Sequence, residues 1–230
     1  EVYKSIFIDL DDTVWAFSEN ARDTFHDMYT KYRFDRYFDS FEHYYTLYAK
    51  RNAELWDEYG KGIITKDQLN EIRFSFPLLQ VGVDDQLLVK AYSADFFSEI
   101  VYKEKVMPHV REALEYLAPR YNLYILSNGF RELQEQKMRS ANVAQYFKQV
   151  ILSEDIGIHK PFPEIFHFAM SVTQSEPKTS LMIGDNWAND VEGARNVGMG
   201  HAYYNINREK EFAFRPTFVL NDWAEIDQCL

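Results

Sequence analysis

The amino-acid sequence predicts an α/β protein, with a three-layer core around a parallel sheet and an inserted all-helical cap domain. In the second half of the chain, strands alternate with helical segments of about 10–15 residues, which is typical of crossover units in a parallel sheet. Between that half and the first strand, roughly residues 4–10, the apolar residues keep helical spacing and no convincing strand is found. We therefore expect residues 1–14 and 104–230 to form the core domain and residues 15–103 to form the cap.

Capping residues divide the predicted cap into four helices. Ser18 and Ser40 are suitable N-caps for the first two, because a serine hydroxyl can accept a hydrogen bond from a backbone N–H of the first turn. Thr65 and Gln68 have the spacing of a capping box at the start of the third helix, and Asp84 is placed to open the fourth. Aromatic residues repeat along one side of the first two helices, which predicts that these sides are buried.

The elements of the predicted core follow from the same patterns. The expected helices are "VREALEYL", "RELQEQKMRSA", "PEIFHFAMSV" and "NDVEGARNVG". The expected strands between and after them are "YNLYIL", "KQVILS", "TSLMIGD", "HAYYNI" and "TFVLND". The first strand, "KSIFIDL", is apolar enough to be buried, so we expect it to join the same sheet.

Composition narrows the possible partners. The net charge of −11 makes a nucleic-acid polymer an unfavourable partner, although a small anion can still bind through local dipoles and cations. No apolar run approaches the roughly 18 residues of a membrane span, and the first residues lack the pattern of a secretory signal. Cys229 is the single cysteine, which excludes an intrachain disulfide and is consistent with a cytoplasmic location.

Polar residues that can carry chemistry stand at the ends of the predicted strands. In an open parallel sheet, ligands bind at the carboxyl ends of the strands, so these residues are expected to meet at one edge. Following the chain, they are Asp9, Asp11, Ser127, Asn128, Lys160, Asp185 and Asp190. Several carboxylates at one buried edge are costly unless positive charge lies among them. The pattern therefore predicts that a positive group lies among these acids.

Four segments resemble the motifs of a known family. In chain order they are "DLDDT", "LSNG", "KPFPEIF" and "IGDNWAND", and they are similar to the four motifs of the haloacid dehalogenase-like hydrolase superfamily. The resemblance spans the chain and implies a Rossmann-like core with the helical C1 cap of subfamily I. The segments "LWDEYGKGIITKDQLNEIRF" and "SNGF" resemble the bacterial pyrimidine 5'-nucleotidase branch.

The resemblance implies a role for each acid of the first and fourth motifs. Asp9 would be the nucleophile that forms an aspartyl-phosphate, and Asp11 would protonate the leaving oxygen and later take a proton from water. Asp9, the backbone carbonyl of Asp11, and Asp185 would hold Mg²⁺, with Asp190 supporting the site. Asp12 occupies a variable position of the motif and is interpreted as a solvated or locally bonding acid.

The second and third motifs are expected to bind the phosphate. The Ser127 hydroxyl and backbone N–H groups at Asn128 can hold phosphoryl oxygens after the end of a strand. Lys160 stands before Pro161 in a stiff segment, and its ammonium would neutralise phosphate charge and separate the carboxylates.

The substrate is expected to be a small phosphorylated metabolite, with a pyrimidine nucleoside 5'-monophosphate favoured. Twelve aromatic residues lie between Phe25 and Tyr59, so the cap can spare one or two to stack on a base. Small sugar phosphates, phosphoglycolate and a phosphomutase reaction remain alternatives. A haloacid dehalogenase is less favoured because dehalogenases of this superfamily lack a second aspartate such as Asp11, and a phospho-receiver-type module would be shorter. The chain is expected to be a monomer or a homodimer.

Overall fold

The computed structural model describes residues 2–230, and the chain forms two compact units. One unit comprises the chain up to Phe17 together with Glu104–Leu230. The other is Ser18–Lys103, which is inserted after the first strand.

A six-stranded parallel sheet forms the centre of the first unit, in the order β3-β2-β1-β4-β5-β6 within residues 2–230. Its strands are β1 (Ser5–Ile8), β2 (Asn122–Ser127), β3 (Gln149–Leu152), β4 (Ser180–Gly184), β5 (Gly200–Tyr204) and β6 (Phe218–Leu220). Ile8 of β1 lies opposite Ile125 of β2 and Ile183 of β4. Every residue of β1 is buried, as expected for a parallel strand covered on both faces. The predicted α/β fold is confirmed.

Four helices make up most of the second unit: α1 (Phe17–Lys31), α2 (Phe41–Gly60), α3 (Lys66–Gln80) and α4 (Gln86–Ile100). Ser40 caps α2 by accepting from His43 N–H at 3.1 Å. The capping box of α3 is reciprocal, since Thr65 accepts from the Gln68 N–H and the Gln68 side chain accepts from the Thr65 N–H.

Two of the predicted helix starts are shifted. Asp85 rather than Asp84 caps α4, because its backbone is extended and its carboxylate accepts from Leu88 N–H at 3.0 Å. The first helix starts before Ser18, so this serine lies inside the first turn instead of capping it. The preceding chain is held by the hydrogen bond from Ala16 N–H to the Lys105 carbonyl, which lets Phe17 begin the helix.

Aromatic residues pack the interior of the second unit. Phe25 stacks on Phe96 with ring centroids 4.4 Å apart, and the buried hydroxyls of Tyr44 and Tyr92 share a hydrogen bond of 2.6 Å. Five of the twelve aromatics between Phe25 and Tyr59 are buried: Phe25, Phe34, Phe38, Tyr44 and Tyr48. The other seven are partly exposed: Tyr29, Tyr32, Tyr37, Phe41, Tyr45, Trp56 and Tyr59. The five buried rings are therefore used for packing.

Helices of the first unit flank the sheet: α5 (Val110–Leu117), α6 (Arg131–Ser140), α7 (Pro163–Val172), α8 (Gly193–Asn196), α9 (Ile226–Cys229) and a π-helix over Trp187–Glu192. Pro163 starts α7, where its missing N–H would have no partner in the helix. Phe166 of α7 lies in the same buried cluster as Phe7, Leu126 and Met182 of the three central strands. Among the residues described, no helix is both long and apolar enough to cross a membrane.

Candidate active site

The carboxyl ends of the three central strands deliver the acids and the hydroxyl of the site. Asp9 follows β1 directly, and its backbone N–H donates to the carbonyl of Ile183 in β4 at 3.0 Å. Ser127 is the last residue of β2, and Asp185 follows the last residue of β4. Because β1 pairs in register with both neighbours, these residues leave the sheet at the same edge.

Lys160 lies at the centre of this edge. Its ammonium donates to Asp9 Oδ1 at 3.0 Å, to Asp190 Oδ1 at 2.7 Å and to the Leu126 carbonyl at 2.8 Å, so all three of its hydrogens have acceptors. The side chain is 2% exposed. Burial alone would lower the pKa of Lys160, but the carboxylates of Asp190 and Asp9 outweigh it and raise the pKa above its usual value. Lys160 is therefore a permanent cation among acids.

Asn128 holds the backbone of Lys160. Its side-chain carbonyl accepts from the Lys160 N–H at 2.8 Å, and its side-chain amide donates to the Lys160 carbonyl at 3.1 Å. Both polar groups of the Asn128 side chain are thus used to fix the loop that carries the lysine. The backbone N–H of Asn128 stays the predicted phosphate-binding group of this residue.

Asp9, Asp185 and Asp190 form a cluster of carboxylates. One oxygen from each lies within 4.8 Å of the others. Asp190 accepts from Lys160 through one oxygen and from the Asn186 N–H, at 3.1 Å, through the other, so the protein itself occupies both. A side chain at Gly184 would clash with Asp190, so this position requires glycine.

The charge of this cluster is not fully compensated. Burial, then the nearby carboxylates of Asp9 and Asp190, raise the pKa of Asp185 well above its usual value. Burial likewise raises the pKa of Asp190, and Lys160 offsets only part of the effect. Partly buried carboxylates that repel each other are the donor set that a hard divalent cation such as Mg²⁺ prefers. The residues therefore fit a magnesium ion, and the assignment of Asp9 and Asp185 as its side-chain ligands stays a prediction.

Thr13 is a site residue for which the sequence predicted no role. It is fully buried, and its hydroxyl lies 3.1 Å from Asp185 Oδ1 and 3.4 Å from Asp9 Oδ2. The same oxygen accepts from the Asp185 N–H at 3.2 Å. Thr13 is the last residue of the "DLDDT" segment, and its place in that segment was the only sign in the sequence of a role in the site.

Asp11 lies in different surroundings from Asp9. Its Oδ2 accepts from Gln134 at 3.0 Å, and its Oδ1 forms an ion pair with Lys137 at 3.1 Å. Its carboxylate is therefore not part of the Asp9–Asp185–Asp190 cluster, and metal binding by its backbone carbonyl stays a prediction. Asp12 adopts a left-handed backbone with φ of 59°, a conformation that aspartate tolerates better than most residues.

The chain is similar to known proteins of one family. The family model described as haloacid dehalogenase-like hydrolase matches residues 3–198. The chain is 27% identical to pyrimidine 5'-nucleotidase YjjG of Escherichia coli over 98% of this chain and 96% of that protein. It is 25% identical to pyrimidine 5'-nucleotidase PynA of Streptococcus pneumoniae over 99% and 95% of the two chains.

A solved structure has the same fold over the full chain. The HAD hydrolase YfnB of Bacillus subtilis, determined with magnesium bound, matches with a TM-score of 0.88 and 21% identity over 99% of this chain and 98% of that one.

Proposed function

Because this chain belongs to the haloacid dehalogenase-like hydrolases, as its four motifs predicted, we propose that it is a magnesium-dependent phosphomonoester hydrolase acting through an aspartyl-phosphate. One observation carries the proposal. Asp9 and Asp11 are two positions apart in the chain, but Asp9 faces Lys160 and the acid cluster while Asp11 is held by Gln134 and Lys137. Two carboxylates in separate surroundings are suited to two roles, nucleophile and general acid–base.

The first half-reaction uses both acids. A carboxylate oxygen of Asp9 attacks phosphorus, the bond from phosphorus to the ester oxygen breaks, and Asp11 gives a proton to the departing oxygen. In the second half-reaction, Asp11 takes a proton from water as that water attacks the phosphorus of the aspartyl-phosphate. Asp9 returns to a carboxylate and inorganic phosphate leaves.

Phosphate binding is assigned to cations and donors at the same edge. When bound, Mg²⁺ would be held by Asp9, Asp185 and the backbone carbonyl of Asp11, with Asp190 supporting these ligands. The ion would neutralise charge on the phosphate oxygens. Lys160 would add a second positive charge, and Asn128 would keep its loop in place. Ser127 Oγ accepts from the Gly129 N–H at 3.0 Å and from Gln134 at 2.8 Å, which leaves its own hydrogen to donate to a phosphate oxygen.

For the substrate, we propose pyrimidine nucleoside 5'-monophosphates. Two relatives that align over nearly the whole chain carry the name pyrimidine 5'-nucleotidase. The seven partly exposed aromatics of the second unit, among them Trp56 and Tyr45, also support this proposal, since a base can stack on an accessible ring. The acidic net charge does not oppose it, because local cations bind the single phosphate. A cytoplasmic location stays a prediction from the lone Cys229, as does the monomeric or dimeric state.

A phosphate-release assay tests the two levels of this proposal separately. Release from an aryl phosphate is measured with Mg²⁺ and with chelator; equal rates in both would refute the metal dependence. Specificity constants for deoxyuridine and thymidine monophosphates are then compared with those for sugar phosphates and phosphoglycolate. If the nucleotides are no better substrates than the small esters, the nucleotidase assignment fails and the phosphatase proposal remains.

A further inference from the structure

Helix α6 holds both oxygens of the Asp11 carboxylate. Gln134 and Lys137 are three residues apart on this helix, so they lie on the same face. The Gln134 amide donates to Asp11 Oδ2 at 3.0 Å, and the Lys137 ammonium donates to Asp11 Oδ1 at 3.1 Å. Neither residue belongs to the four motifs, and both are buried.

Gln134 connects Asp11 to the phosphate-binding hydroxyl. Its amide nitrogen also donates to Ser127 Oγ at 2.8 Å, so the two hydrogens of one NH₂ group go to two residues of the site. The Gln134 side chain is fully buried, and its carbonyl oxygen has no hydrogen-bond partner within residues 2–230. The reverse orientation of the amide would turn this oxygen towards a carboxylate that can only accept. The two acceptors therefore fix the orientation of the amide.

The hydrogen bond from Gln134 orients the hydroxyl of Ser127. Its oxygen accepts from both Gln134 and the backbone N–H of Gly129, so its own hydrogen is directed away from them. A side chain at Gly129 would clash with the Gln134 amide, so only glycine leaves room for it here. The glycine of the "LSNG" segment thus permits the contact between Gln134 and the site.

Lys137 has one counter-ion. Asp11 is its sole salt-bridge partner in the described part of the chain, and the lysine side chain is 4% exposed. The ammonium lies 4.6 Å from the ring centre of Trp15 and 5.3 Å from that of Phe17, so two aromatic faces hold it in place. Because a buried ammonium requires compensation, Lys137 holds the Asp11 carboxylate in a defined position.

We propose that Gln134 and Lys137 are positioning residues for Asp11, and that Gln134 also sets the direction in which Ser127 donates. This inference rests on the proposed function, since it assigns the two residues to the proton transfer of that reaction. Together they keep the Asp11 carboxylate out of the cluster of Asp9, Asp185 and Asp190 and available to the leaving oxygen.

The test compares two substrates that differ in their need for a proton. An alkyl phosphate leaves as a basic alkoxide and depends on the general acid, whereas p-nitrophenyl phosphate depends on it much less. We expect Gln134→Met and Lys137→Met, which replace the polar end group by an unbranched apolar side chain, to lower kcat for the alkyl ester about 10-fold more than kcat for the aryl ester. Lys137→Arg, which keeps the charge, should recover part of the loss. Lys148→Met, at an exposed lysine of the same unit, is the matched control and should change neither rate.

A double-mutant cycle separates positioning from structural damage. In an Asp11→Asn background the acid is already absent, so Gln134→Met and Lys137→Met should not change the ratio of the two rates further. The inference would be overturned if both esters lost activity equally in the wild-type background. It would also be overturned if either substitution changed the ratio of the two rates in the Asp11→Asn background. Circular dichroism confirms that each variant is folded; if Lys137→Met is not, Gln134→Met and Lys137→Arg still decide the result. A wild-type chain that releases no phosphate from any ester would refute the proposed function itself.

Discussion

The ammonium of Lys160 donates to Asp9 Oδ1 across 3.0 Å, although the two residues are 151 positions apart in the chain. The same ammonium holds Asp190 at 2.7 Å. One cation therefore separates the proposed nucleophile from an acid of the fourth motif, and its removal affects both stability and chemistry.

Replacing Lys160 by methionine should destabilise the fold as well as abolish activity. The substitution leaves the buried carboxylate of Asp190 without its counter-charge, which costs roughly 3–5 kcal/mol in comparable cases. Urea denaturation, followed by circular dichroism, measures the change in the free energy of unfolding. Lys148→Met is the control at an exposed lysine; equal stability of the two variants would contradict the proposed role of the buried cation.

Asp9→Asn should remove turnover while leaving the fold intact. An amide cannot attack phosphorus, so we expect kcat to fall on the order of 10³-fold or more. The matched control is Asp39→Asn, because the Asp39 side chain is 99% exposed and undergoes the same chemical change. Phosphate release at saturating aryl phosphate measures the loss. A folded Asp9→Asn protein with substantial activity would mean that another residue is the nucleophile.

Asp11→Asn should affect esters unequally. It removes the proton donor but keeps the nucleophile, so hydrolysis of an alkyl phosphate should fall by about 10²-fold or more and that of p-nitrophenyl phosphate by much less. Parallel kcat measurements on the two esters test this. Similar losses for both would count against Asp11 as the general acid.

Asp185→Asn should stabilise the metal-free chain. Burial and the neighbouring acids raise the pKa of Asp185 in the folded state, so folding favours its protonated form. The wild-type chain without metal should therefore lose stability as the pH rises above about 4, and the variant should lose less. At pH 8 we expect the metal-free variant to be more stable than the metal-free wild-type chain by about 1–3 kcal/mol, or several degrees in Tm.

Magnesium should reverse this order. Binding to the folded state alone raises Tm, so Mg²⁺ at pH 8 should stabilise the wild-type chain and have little effect on Asp185→Asn. Thermal unfolding with chelator and with Mg²⁺ provides both measurements, with Asp39→Asn as the control that should follow the wild type. Equal stabilisation of Asp185→Asn and the wild type by Mg²⁺ would exclude Asp185 as a ligand.

Patterns within short segments were enough to predict the elements. The alternation of strands and helices predicted the parallel sheet, and the spacing of Thr65 and Gln68 predicted a capping box that forms as expected. Starts of helices were less predictable. Asp84 and Asp85 are both good caps, and the choice between them depends on the backbone angles at each residue.

The amino-acid sequence by itself determined the fold class and the residues that follow the strands, because periodicity and strand ends are local properties of a chain. Only the tertiary structure decided which groups hold those residues. Gln134 and Lys137 lie more than 120 positions from Asp11, on a helix whose sequence reads as an ordinary amphipathic segment. Contacts between such distant positions depend on where the fold places α6, and no local spacing encodes them.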